Sequence, residues 1–133
     1  KGKPFRIGIQ DPAAERGAYL GALAITDRSL VTSGPYERFF IEGGRRYHHI
    51  LDRRTGYPAE SGLASVTIIS ASSIRADALS TSVFALGKER GLALLAGQAG
   101  VSAILVDESG AISLSGPESG SFELLDPEGY HLE

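Results

Sequence analysis

The chain has 133 residues, and its 13 Lys+Arg stand against 16 Asp+Glu for a formal net charge of -3. That balance lacks the basic footprint of a nucleic-acid binder, and no run approaches the roughly 18 uninterrupted apolar residues of a membrane-spanning helix. An apolar content of 42% suits one ordinary domain, and the absence of cysteine excludes disulfides, thiolate metal sites and a cysteine nucleophile.

Phe5 to Gln10 (FRIGIQ) alternates large apolar with small or polar residues, which predicts a strand ended by Asp11-Pro12. Tyr19 to Thr26 and Ser29 to Thr32 form a second strand region turning around Asp27-Arg28. Ser33-Gly34-Pro35 signals a loop. Phe39-Phe40-Ile41 and Arg45 to Leu51 flank Gly43-Gly44, a pair suited to a tight hairpin because both glycines tolerate positive φ. Arg54 to Pro58 makes another loop. Leu63 to Ala71 (LASVTIISA) is β-branched at its centre and reads as a buried strand. The period then changes. Ile74 to Leu86 lacks Gly and Pro, so a helix is expected there, capped by Ser72 or Ser73 and stopped by Gly87. A second short helix is expected over Glu89 to Gln98, then a strand pair, Val101 to Val106 and Ala111 to Leu114. In the tail only Phe122, Leu124 and Leu125 look anchored. Strands, two helices and further strands give an α+β domain over residues 1–133, an antiparallel sheet with two helices rather than alternating βαβ units. The chain contains no Met and opens on Lys1-Gly2-Lys3-Pro4, so it is expected to be a piece of a larger protein.

Three clusters could carry chemistry. In the predicted helix, Leu79, Val83 and Leu86 share one face and Asp77, Ser80, Thr81 and Phe84 the opposite one. The i, i+4 spacing lets the Asp77 and Thr81 oxygens converge. On so apolar a helix Asp77 is expected to be buried, which is costly for a carboxylate unless it is bonded or bound to a cation. Carboxylate plus hydroxyl is a hard oxygen set suited to Mg²⁺; the plainer alternative is that Asp77 caps or neutralises the helix start, or pairs with an arginine such as Arg75. The second cluster is Tyr47-His48-His49-Ile50-Leu51-Asp52 followed by Thr55-Gly56-Tyr57-Pro58. Only one of two adjacent histidines on a strand can enter a given site, and simple packing is the alternative for either. Asp52 and Thr55 suit turn formation. The third, Thr32 to Arg38, could hold a planar ring or a phosphate, or simply connect two strands. Walker A, G-x-G-x-x-G, G-x-S-x-G and H-E-x-x-H patterns are all missing.

Together TSGPYERFF (Thr32–Phe40), YHHILDRRTGYP (Tyr47–Pro58) and SVTIISASSIRADALSTSVFALG (Ser65–Gly87) resemble the ApbE family of FAD:protein FMN transferases. The resemblance covers nearly the whole chain but only the C-terminal portion of the family's usual length. It implies an α+β fold similar to the tunnelling fold. It also implies a bacterial protein of the cell envelope, on the periplasmic side and often lipid-anchored. The implied reaction is Mg²⁺-dependent cleavage of FAD, with FMN passed to a Thr hydroxyl of a flavoprotein partner and AMP released; some members instead hydrolyse FAD to FMN and AMP, and a non-catalytic flavin-binding fragment is a further alternative. By the same resemblance Asp77 and Thr81 would be metal ligands, and His49 the base near the flavin. The backbone of His49, Ile50 and Leu51 would line the isoalloxazine or the diphosphate, and amides at the helix N-terminus would face the phosphates. Two departures stand out. Arg53 replaces the usual Pro of the D-P-x-T-G turn, and Pro35 stands where Asp or Asn is common. The family's N-terminal half, with its adenine pocket and further flavin and metal contacts, is not among these residues.

Overall fold

The computed structural model describes residues 2–133. Its elements in chain order are β1 (Phe5–Gln10), β2 (Tyr19–Ile25), β3 (Ser29–Ser33), β4 (Phe39–Glu42), β5 (Arg45–His48), β6 (Leu63–Ser70), α1 (Ser73–Leu86), α2 (Lys88–Ala96), β7 (Val101–Asp107), β8 (Ala111–Ser115), β9 (Phe122–Leu124) and β10 (His131–Leu132), with a 3₁₀ turn at Pro117–Ser121. This is the expected α+β architecture. The strands divide among three sheets: β1-β2-β9, β10-β8-β7-β6-β3 and the hairpin β4-β5. Pairing is antiparallel throughout except between β8 and β10.

The five-stranded sheet is the middle layer, and its strands carry apolar side chains on both faces. Val66 and Ile68 of β6, with Val101, Ala103 and Leu105 of β7, face α1 and α2, meeting Ala76, Val83, Phe84 and Leu95. Ile69, Ile104, Val106 and Ile112 face the three-stranded sheet, meeting Ile9, Leu20, Leu23 and Ile25. Covering both faces explains why β6 reads as an almost unbroken apolar run rather than an alternating one. A register shift between Leu63 and Ser65 turns Leu63 to the helix side with Val66.

Local expectations hold where short-range chemistry sets them. Gly43 and Gly44 have φ of 57° and 76° at the tip of the β4-β5 hairpin. The Ser72 side chain caps α1 by accepting the Arg75 N–H. Two long-range features depart from the sequence reading. β2 and β3, expected as one region, turn at Asp27 (φ 51°) and then enter different sheets. The tail is more anchored than expected. β9 pairs with β2, β10 pairs with β8, and Tyr130 is buried and donates to Asp11 at 2.5 Å, whereas Leu125 is exposed.

Candidate functional site

Packing decides which side of α1 is open. Ala76, Ser80, Val83 and Phe84 are buried against the central sheet, while Asp77, Thr81, Ala78, Ser82 and Ala85 face solvent. The expected division of the helix therefore fails in part. Ser80 and Phe84 belong to the buried side rather than with Asp77 and Thr81, and Leu79 is only half-buried. The cause is the helix's composition: Ala, Ser and Thr occur all round it, so no apolar stripe marks the core-facing side.

Asp77 is exposed rather than buried, and its carboxylate makes no hydrogen bond or ion pair among the described residues. Neither plainer role applies to it. Ser72 supplies the N-cap, and Arg75 donates to Gln98 Oε1 at 2.8 Å and to the Ala99 carbonyl at 3.2 Å. Thr81, one turn beyond Asp77, lies 3.2 Å from Ser33 Oγ, which also lies 2.8 Å from Ser80 Oγ. Ser33 ends β3 and is buried, so the third cluster of the sequence touches the α1 pair through a hydroxyl. That link escaped the sequence reading, because nothing local in Thr32-Ser33-Gly34 says that β3 pairs with β6 beneath α1.

The two histidines separate as strand alternation requires. His48 turns inward, its ring edge-on to Phe84 of α1 at 5.8 Å, with Nδ1 buried and lacking a hydrogen-bond partner. His49 is exposed, and its backbone N–H and its Nδ1 both lie 3.2 Å from the Arg38 carbonyl oxygen. A carbonyl only accepts, so that contact needs the proton on Nδ1 and leaves the Nε2 lone pair available. Ile50 buries its side chain in the helix-side core, and its carbonyl accepts the Ala59 N–H at 2.9 Å. Leu51 is 51% exposed and bridges Pro58. Asp52 is a turn former: its carboxylate accepts the Arg54 N–H at 2.8 Å and the guanidinium at 3.0 Å, bonds that hold its carboxyl below the ordinary range.

Asp77, Thr81 and His49 are each exposed rather than enclosed in a pocket. Clefts of about 760, 520 and 460 Å³ open on the surface, and Asp77, Thr81 and His49 line none of the three. The link between the hairpin and the helix runs through the His48–Phe84 contact, and no hydrogen bond joins His49 to Asp77 or Thr81 among the described residues. Nor, among the described residues, does any group of three His, Asp or Glu gather to enclose a cation.

The chain matches the model of the ApbE family over residues 1–118. A FAD:protein FMN transferase of Klebsiella pneumoniae (strain 342) is 46% identical over 100 residues, covering 75% of this chain and 32% of that protein. Another, from Treponema pallidum (strain Nichols), is 45% identical over 100 residues, 75% of this chain and 28% of that one. Among solved structures, the ApbE protein of Thermotoga maritima has a TM-score of 0.75 at 42% identity, covering 86% of this chain and 37% of that chain. The flavin transferase ApbE from Vibrio cholerae has a TM-score of 0.62 at 31% identity, covering 79% and 32%. The chain thus spans about a third of the length of these relatives. With the match running through both helices and as far as the 3₁₀ turn, and the same fold in the solved relatives, the chain belongs to the ApbE family.

Proposed function

We propose that the chain is the C-terminal portion of an enzyme that transfers FMN from FAD to a threonine hydroxyl of a flavoprotein acceptor and releases AMP. The observation that carries this reading is the Asp77–Thr81 pair on the open face of α1, with an unengaged carboxylate one turn from an oriented hydroxyl, in a chain 46% identical over 100 residues to a FAD:protein FMN transferase. Two oxygen donors, one charged and one neutral, fit part of the shell of Mg²⁺, which ordinarily keeps water and phosphate oxygens in its remaining positions. When bound, Mg²⁺ would neutralise charge on the diphosphate.

The chain's own residues then take distinct parts. The acceptor oxygen attacks the FMN phosphorus, the P–O bond to AMP breaks, and His49 Nε2 takes the acceptor's proton, a role typically worth about 10²–10⁴-fold in rate. The Arg38 carbonyl holds the ring in the required tautomer by accepting from Nδ1. Ile50, anchored in the core, fixes the segment beside His49, and the exposed Leu51 offers an apolar surface to a planar ring.

The test incubates the full-length protein with FAD and an acceptor domain, with Mg²⁺ or with EDTA, and separates the products chromatographically. AMP appearing only with Mg²⁺, together with flavin on the acceptor, is expected, and Asp77→Ala should abolish both. Free FMN in place of flavinylated acceptor would make water the acceptor and the protein a pyrophosphatase. Undiminished AMP release by Asp77→Ala would overturn the assignment of the pair.

A further inference from the structure

Four side-chain and backbone groups of α1 and the end of β3 form a connected line: Thr81 Oγ1, Ser33 Oγ, Ser80 Oγ and the Asp77 carbonyl, separated in turn by 3.2, 2.8 and 3.0 Å. Counting protons fixes the direction of every bond. The Asp77 carbonyl can only accept, so the single Ser80 hydroxyl proton points to it. Ser80 must then accept from Ser33, which uses the Ser33 proton. Ser33 in turn can only accept from Thr81. The reverse direction leaves at least one contact without a proton. Ser33 and Ser80 are buried, so water does not compete for the bond between them, and Thr81 stands at the exposed end of the line.

From this line we infer that Ser33 is the positioning residue of the cation site: it accepts the Thr81 hydroxyl proton and leaves the Thr81 lone pairs free for a metal ion. A threonine whose proton is engaged behind it presents only acceptor capacity at its open side, which is what a hard cation requires. The line also ends on the backbone of Asp77, so two buried hydroxyls, Ser33 and Ser80, tie together the two proposed ligands. The inference rests on the reading of Asp77 and Thr81 as cation ligands, and its test keeps the two apart.

The probe is Mn²⁺, titrated into the full-length protein and followed by electron paramagnetic resonance, with no flavin present. Ser33→Ala should weaken Mn²⁺ binding about five- to tenfold, the size of one lost hydrogen bond, while Asp77→Ala should remove it. Urea unfolding of each variant checks that the fold is kept. Where Ser33→Ala does not fold, Ser33→Cys retains the side chain's shape with a weaker donor and acceptor, and an intermediate loss is expected. Unchanged Mn²⁺ affinity in a folded Ser33 variant, with binding lost in Asp77→Ala, would overturn the role of Ser33 and leave the site standing. Unchanged affinity in both would overturn the site itself.

Discussion

The His48 ring stands edge-on to the Phe84 ring, with centroids 5.8 Å apart and planes at 90°. This contact fastens the end of β5 to α1, in the turn that follows Thr81. It therefore sets where His49, the next residue, leaves the strand relative to the helix that carries Asp77 and Thr81. Phe84 is almost wholly buried, so the anchor is stiff on the helix side.

The same contact should make stability depend on pH near neutrality. Burial pushes the His48 pKa below the ordinary imidazole value, against a smaller opposing effect of the Ala59 backbone, and the charges of His49 and Arg46 add to the lowering. In the unfolded chain His48 takes up a proton near pH 6.5, whereas the folded state resists it. The contribution is thus full above that pH and is lost as pH falls through it towards the lowered folded value. Urea midpoints should drop between pH 7.5 and pH 5.5 in the wild type, and drop less in His48→Gln. Equal drops would mean that another group titrates.

A second expectation concerns the turn leading from β8 towards β9. Gly116 has φ of 86°, and a Cβ there would lie 2.4 Å from the Val101 carbonyl oxygen and 2.6 Å from Ser102 Cα. Both obstacles are backbone of a central strand, which cannot step aside cheaply. Gly116→Ala combines left-handed strain with that clash, so a loss above about 2 kcal/mol is expected in urea unfolding. A loss under about 1 kcal/mol, at the bottom of the range for the backbone strain alone, would show that both the turn and β7 yield.

A gain is expected at Arg53. The Thr55 N–H donates to the Asp52 carbonyl at 3.2 Å, which places Arg53 second in a four-residue turn, and the Arg53 N–H makes no hydrogen bond among the described residues. Proline is favoured at that position and would remove no bond. Arg53→Pro should therefore stabilise the fold by about 0.4–1 kcal/mol, chiefly by restricting the unfolded chain. A lower urea midpoint would show that the turn holds Arg53 away from the φ that proline imposes.

The sequence by itself determined what lies within a few residues of its cause. Gly43-Gly44 dictates a hairpin through its tolerance of positive φ, Ser72 dictates a helix start through its capping oxygen, and the β-branched run of β6 dictates a strand with both faces covered. The i, i+4 spacing of Asp77 and Thr81 likewise guarantees one shared helix face, whatever the fold around it. Tertiary structure alone decided whether that face is open or closed. α1 carries small residues all round, so its buried side was set by where β6 and β3 lie beneath it, contacts made across a long stretch of chain. The same distance hid the Ser33–Thr81 bond, which spans 48 positions, and the division of β2 and β3 between sheets. Periodicity records which residues point the same way; only packing records what they point at.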